Sequence, residues 1–582
     1  MTESVIPEAI QAGVAALKGY LGPLAARDLC PTERRVGDVQ AFDYRLPEDF
    51  LGVCRTLRIA FREGFPAVPL DFAITPSAWL HWPHVMKASL CLFSDGRQPS
   101  AASPEAAVHS AMKRASMLVG FSMAGADPDA REAEFAREIR TYWDHQLETA
   151  RQPLMLVGQP TATGELYVLS QASFNLVASE SKAITAFEKR QGLRTGAARA
   201  LAKAAFHVVL NEAPSVRVPD PSIGSIRRWL HPAISESDAR TLDAWLATTS
   251  SFCSRWIILR LPGDGMAMWA LYIGDPGLAK NKSRAYSRRS ARRLPLPSTP
   301  SSTRRVNLSQ ADVHILDGQV AHSRNWASAS PLVGKRVVMV GCGSLGGECA
   351  MQLARAGVGH ITVVDPDVLR VENLGRHVLG ISELGNPKAQ GLRRAMLNAV
   401  PDLAVTALVQ SVQHVTQGLV LALTEADLVI VTTADWPSER ILWQWKADKG
   451  THWAMVQAWS EPYAREGHVL VSPIGHGSAE HLFDEQGRFR RAFSKWPDDG
   501  VLPLPACGAS FVPGDAARMS AVATLTVQAT IAVLSNPSCP ASWQYIICDT
   551  DDIADLGGSY TGPALPPGAR AITMSRPWDE PS

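Results

Sequence analysis

Paired cysteines are missing from this sequence: nine thiols are spread over 582 residues, an odd number, with no two at CxxC spacing. That pattern excludes a disulfide framework and the usual zinc clamps, and leaves reduced thiols, some of them reactive. An excess of one charge is missing too, since 57 basic side chains face 56 acidic ones, and a net charge of +1 names no partner. The most apolar stretch, MSAVATLTVQATIAVL from Met519, is broken by Ser, Thr and Gln. It is shorter than the roughly 20 residues a bilayer span needs and reads as a buried core helix. The start, MTESVIPEAIQAGVAALKGYL, has neither the basic nor the apolar region of a signal peptide. Ile6, Ile10, Val14, Leu17 and Leu21 instead recur at helical spacing. No membrane partner is expected, and the expected location is cytoplasmic.

Composition divides the chain into four parts. Residues 280–314 open with KNKSRAYSRRSARRLPLPSTPSSTRR, which has nine cations, many Ser and Pro, and no acid. Basic Ser/Pro tracts are usually solvated connectors, and with Tyr286 the one aromatic among the cations this one reads as a linker rather than a nucleic-acid surface. Residues 1–150 and 151–279 precede it. The second block alternates short apolar runs (LMLVG, ELYVLS, WIILRL, MWALYIG) with a stretch read as helical, ARALAKAAFHVVL, which suggests α+β. Residues 315–582 run strand, glycine turn, helix, strand through KRVVMVG, SLGGECAMQLARAG and HITVVDPD. Later strands at LAVTALV, DLVIVTT and WAMVQAW complete a doubly wound α/β pattern.

The run VVMVGCGSLGG places Gly341, Gly343 and Gly346 between a strand and a helix. There, glycines let the backbone approach phosphates held at the helix N-terminus. Alone, this fingerprint fits NAD, FAD or ATP, and Asp365 at the end of the next strand stands where a dehydrogenase would bind ribose. The residues downstream of it point elsewhere. Asp365-Pro-Asp367 leads to Asn373 and Arg376, then to Lys388 at a helix start, with Asp435 further on. An enzyme that adenylates a carboxylate needs cations on the triphosphate and a carboxylate for magnesium, and Arg376, Lys388 and Asp435 supply these types. Each also has a plain structural reading: Asp365 and Asp435 as caps, Lys388 as a solvated helix charge.

These segments, with GCGSLGG, LARAGVGHITVVDPDVLRVENLGR, GNPKAQ and TTADWPSER in order, resemble the ubiquitin-type activating (E1) enzymes and the bacterial enzymes that adenylate ThiS and MoaD. The resemblance covers roughly residues 315–545. It implies a Rossmann-like ThiF/E1 domain that uses ATP and Mg2+. Asp365 would bind ribose, Asp367, Asn373, Arg376 and Lys388 would line the nucleotide, Asp435 would hold the metal, and Arg440 would support the site. It also implies a homodimer, to which Arg324 is a weak pointer. Members that charge a carrier place a cysteine after the crossover, where PLPACGASFVPGDAARM puts Cys507 in a loop marked by Pro505, Gly508 and Pro513. Beside the helix starting near Asp515, that thiol could act as a nucleophile. Cys342 and Cys349 read as packing residues.

In the first block, FREGFPAVPLDFAITPSAWLHWPHVMKASLCLF resembles the ubiquitin-conjugating (E2, UBC-like) fold. Phe65, Pro66 and Pro69 match the family's Pro-rich connection, Trp82-Pro83-His84 replaces its HPN, and Cys91 falls at the acceptor position. His84 would either donate to an oxyanion or shape the loop. EFAREIRTYWDHQ would be a helix closing this block. Activating and conjugating modules on one chain resemble the fusion enzymes of antiphage CBASS operons. That resemblance implies adenylation of the C-terminus of a CD-NTase or ubiquitin-like protein, a thioester on Cys507, transfer to Cys91 and amide formation on a protein or small-molecule amine. Two other readings stay open: a sulfur-carrier adenylyltransferase, and a scaffold that only binds nucleotide.

Overall fold

The computed structural model describes residues 7–93, 103–150, 152–191, 202–247, 255–263, 267–274, 305–448, 451–503 and 510–578. They fall into two compact units, one drawn from 1–156, 160–181 and 200–314, the other from 157–159, 182–199 and 315–582. The part of the basic linker before Arg305 lies outside the described residues.

The first unit begins with the helix Glu8–Ala25, whose buried Ile10 and Leu17 carry the spacing seen in the sequence. It packs on the helix Pro104–Gly120 and on an antiparallel meander of Asp38–Glu48, Cys54–Arg62 and Asp71–Thr75. The meander leads into Trp82-Pro83-His84, the short strand Ser89–Leu90 and Cys91. Most of a second, eight-stranded sheet lies in the same unit. ARALAKAAFHVVL corrects the helical reading of that stretch, because Ala202–Val209 is a strand. It pairs parallel with Arg255–Arg260 and antiparallel with Gly164–Ser170. Ala205, Phe206, His207 and Val208 are all buried, so both faces are covered. A strand covered on both sides shows no alternation, and its alanines mimic a helical stripe. The end of the supposed linker also differs: Asn307–Ala311 and Val313–Leu316 are strands, and the first pairs with Met268–Gly274.

The helix Pro128–Gln146 presents two stripes. Arg131, Phe135, Glu138 and Tyr142 line one, four or three residues apart, and Ile139 and Trp143 line the other. The second stripe enters the core beside the eight-stranded sheet, where the Trp143 ring meets those of Trp229 and Trp269 at 5.2 and 5.0 Å. Both the Trp143 and Trp229 indoles donate to the Ser215 carbonyl. Removing such a buried indole leaves a cavity and takes away one of the two donors to the Ser215 carbonyl. Trp143→Ala is therefore expected to cost about 3–5 kcal/mol in denaturant unfolding of the first unit; a loss below about 1 kcal/mol would show that the indoles pack independently.

In the second unit five parallel strands lie in the order Ala404–Leu408, His360–Val364, Arg336–Val340, Leu428–Val431, Ala454–Ser460. Antiparallel strands Glu466–Ser472, Ser542–Cys548 and Ala571–Arg576 extend the sheet. The apolar helix Ala516–Ser535 packs on the helix Ser344–Ala356 and on the sheet, burying Val522, Leu525, Val533 and Leu534. Strand order reverses at Arg336–Val340, and in such sheets the crevice beyond the strand ends at the reversal is where ligands bind.

Candidate functional site

Val340 pairs in register with both Val364 and Val431, so the next residues of the three strands, Gly341, Asp365 and Thr432, leave the sheet in one layer. Gly341 turns at φ 95°, a conformation that favours glycine. A Cβ on Gly346 would lie 2.0 Å from the Gly341 carbonyl oxygen, whereas one on Gly343 would meet nothing within 4 Å. Two glycines are thus demanded by packing, and the third leaves open space in front of the Ser344–Ala356 N-terminus, suited to a phosphate. Next to it a cavity of about 200 Å³ is lined by Ser344, Glu348, Arg376, His377, Ala516 and Met519.

The acidic residues are partly engaged already. Asp365 is buried and accepts the N–H groups of Cys342 (2.6 Å) and Asp367 (2.7 Å), while burial raises its pKa. Its capping role is real, and a carboxylate has further lone pairs for a ribose hydroxyl. Lys388 begins the helix Lys388–Ala399, and its Nζ lies 2.9 Å from Asp367 Oδ2. Asn373 accepts the Arg370 N–H. Arg376 donates from Nη1 to the Val512 carbonyl at 2.9 Å, and its buried Nε has no partner. Asp435 is exposed, and Oδ2 accepts the Ser438 N–H and hydroxyl and a Gln413 amide N–H. Oδ1 takes none of these bonds. Among the described residues no group of three or more His, Cys, Asp or Glu gathers as a metal site. Magnesium shared with phosphates needs only one or two carboxylates, so the donor set fits. Arg440 instead pairs with Glu480 (2.6 Å), and Arg324 is exposed.

One residue the motif reading missed is His377. Its Nδ1 accepts the Leu379 N–H, so Nε2 carries the proton and donates to the Cys342 carbonyl at 2.7 Å. Burial lowers its pKa and keeps it neutral. It ties the glycine loop to the Asn373–Arg376 segment. Its position directly after Arg376 was the available signal.

Cys507 lies outside the described residues. The strands Leu502–Pro503 and Ser510–Phe511 on either side of its segment pair antiparallel, and Arg376 reaches the next residue, Val512. Cys342 and Cys349 are buried, and burial raises both thiols, Cys349 to about 12, in keeping with packing roles.

Cys91 is exposed, and its N–H donates to the His84 carbonyl at 2.7 Å. His84 itself sits at φ 61°. Its N–H donates to the Tyr142 hydroxyl (2.7 Å), Nδ1 lies 3.0 Å from Glu138 Oε1, and Nε2 lies 3.0 Å from Glu134 Oε2. A neutral imidazole has one N–H and could satisfy one carboxylate only, so this geometry calls for imidazolium. Burial lowers the His84 pKa, but Glu138 and Glu134 outweigh it and hold the value above normal. With both ring nitrogens engaged, the oxyanion role expected as one option has no free donor here, and the loop-shaping role fits. Trp82 is fixed as well, its indole donating to buried Asp49, which also pairs with Arg55.

The glycine cradle, the reversal point and the flanking cations define a doubly wound nucleotide-binding domain of the ThiF type, and residues 327–549 match the ThiF family. The C-terminal half therefore carries a ThiF domain. The chain is similar to the ATP-dependent ubiquitin transferase-like protein Cap2 of Pseudomonas aeruginosa, 27% identical over 237 residues, 39% of this chain and 41% of that protein. The Cap2 of Enterobacter hormaechei is 28% identical over 138 residues, 22% of this chain and 23% of its own length. The sulfur carrier protein ThiS adenylyltransferase of Escherichia coli is 28% identical over 214 residues, 36% of this chain and 76% of the relative. The match to the Pseudomonas protein thus spans less than half of that relative.

Two outcomes are expected. Gly346→Ala should cost about 2–4 kcal/mol in unfolding of the second unit, because its Cβ collides with the Gly341 backbone carbonyl, which cannot rotate away, as well as with the Thr432 hydroxyl; an unchanged unfolding midpoint would refute the packing argument. Glu138→Gln removes a partner that raises the His84 pKa. That stabilisation is fully present below the unfolded value of 6.5 and is lost as pH rises through the higher folded value. The variant should lose about 2 kcal/mol relative to wild type near pH 6 and much less near pH 9 in urea unfolding; a constant difference would exclude the imidazolium.

Proposed function

We propose that the chain activates the C-terminal carboxylate of a protein by adenylation, passes it to Cys507 and then to Cys91, and joins it to an amine. The observation that carries this is the crevice at the strand reversal. There an open helix N-terminus, Lys388 and an Arg376 with an unpartnered Nε converge, and Arg376 also touches the segment just after Cys507. Arg376 and Lys388 would hold the phosphates of ATP, Asp365 the ribose and Asp435 a magnesium ion, which would neutralise charge on the leaving pyrophosphate. The carboxylate oxygen attacks the α-phosphorus and pyrophosphate departs. A Cys507 thiolate then displaces AMP, and exchange with Cys91 moves the acyl group to the first unit.

The E2-like half of this reading is supported by chain order: a helix, an antiparallel meander, then an exposed cysteine held by its loop. By the CBASS resemblance the activated protein is a CD-NTase or a ubiquitin-like protein, and the acceptor is a protein or small-molecule amine. Homodimerisation through the ThiF domain and a cytoplasmic location belong to the same proposal. A second reading, a sulfur-carrier adenylyltransferase, is favoured by the extent of the ThiS adenylyltransferase match and would leave Cys91 without a task.

ATP–pyrophosphate exchange and adduct trapping with a CD-NTase tail separate them. Arg376→Ala and Lys388→Ala should each slow exchange by about 100-fold. Cys507→Ala should keep exchange and lose every thioester, while Cys91→Ala should retain the Cys507 adduct and lose the conjugate. Adducts that survive both cysteine substitutions would sink the relay.

A further inference from the structure

Glu134, Glu138 and Tyr142 recur every fourth residue on the helix Pro128–Gln146, and like charges four apart repel on an isolated helix. The fold brings a cation to them. His84 bridges both carboxylates, and Arg137 adds a second cation to Glu134. Tyr142, wholly buried between the rings of Trp79 and Phe135, donates its hydroxyl proton to Glu138 Oε2 and accepts the His84 N–H. The next bond in the series is the Cys91 N–H to the His84 carbonyl. A single residue in the left-handed region thus connects the helix to the backbone of the exposed thiol, and such a conformation persists only where surroundings over-determine it. Three side chains from the helix do so.

We propose that this face of the Pro128–Gln146 helix is the positioning element of the Cys91 site, with Tyr142 and Glu138 setting the Cys91 loop through His84 for attack by an amine. The proposal rests on the reading of Cys91 as the acyl-accepting thiol. Tyr142 and Glu138 act through His84 and are positioning residues. In the step they serve, the amine nitrogen attacks the thioester carbonyl, the C–N bond forms, the C–S bond breaks with its electron pair going to Cys91 sulfur, and the nitrogen proton passes to solvent. The groups facing the His84 ring and N–H are Glu134, Glu138 and Tyr142 from the helix, with Arg137 beside Glu134 and Cys91 on the same loop.

The test uses the full chain acylated on Cys91 by a short peptide thioester of mercaptoethanesulfonate ending in alanine, with discharge to free lysine followed by intact mass. Tyr142→Phe keeps the ring packing but leaves the His84 N–H without its acceptor, so the unfolding midpoint should fall modestly, with the chain still folded at the assay temperature, while discharge slows about tenfold at saturating lysine. Glu138→Gln should slow discharge as well. After correction for free lysine amine, it should also move the alkaline fall in rate to lower pH, since His84 then loses its proton sooner. Discharge within about twofold of wild type in both variants would overturn the proposal. If Cys91→Ala is acylated and discharged like wild type, the fault lies with the reading of Cys91 and not with the helix.

Discussion

An absent atom governs the nucleotide end of the second unit. With no Cβ at position 346, the first turn of the Ser344–Ala356 helix lies against the carbonyl of Gly341. That contact sets the helix axis over the strand Arg336–Val340, leaves the N-terminus open at Gly343, and aims the helix dipole into the crevice. The other contacts of the loop depend on it. Asp365 holds the Cys342 N–H from the next strand, and His377 holds the Cys342 carbonyl from the segment beyond. One residue, Cys342, is clasped through both its N–H and its carbonyl, and the clasp brings Asn373 and Arg376 to the crevice.

Much of this half was legible because its signals are local. Glycines, strand runs and the Asp365, Arg376 and Lys388 spacings all sit within about fifty residues and within one supersecondary pattern. His377 was harder to see. A histidine between an arginine and apolar residues looks like surface, and only its contact with a carbonyl 35 positions earlier gives it a task. The strand Ala202–Val209 reads as helix for a related reason. Burial on both faces erases period-two alternation, and the decisive partners, Gly164–Ser170 and Arg255–Arg260, lie some forty to fifty residues away on either side.

The surroundings of Cys91 were legible in half. The order of Pro-rich connection, Trp82-Pro83-His84 and cysteine marked the loop, but what holds it comes from elsewhere: Asp49 under Trp82, and Glu134, Glu138 and Tyr142 around His84. The latter three carried a signal that spacing alone exposes. Two glutamates four apart on a partly buried helix face are unfavourable unless a cation is supplied from another element. A histidine is the residue that can supply one and, unlike lysine, also fit between two carboxylates in a plane.

That electrostatic pattern also separates the thiols. Burial raises Cys342, Cys349, Cys539 and Cys548, so at neutral pH they stay protonated and poor as nucleophiles. Exposure alone does not select among the other described thiols, because Cys30, Cys54 and Cys91 all reach solvent. Cys30 and Cys54 are strand residues facing Asp43 and Glu48 across an antiparallel pair, where the ladder already fixes the backbone. Cys91 comes just after the end of a two-residue strand, and its N–H is held by the carbonyl of His84, a residue at φ 61° that a plain loop would relax. Among the described exposed thiols, the one anchored to a residue kept in the left-handed region, Cys91, is the one whose direction the fold controls.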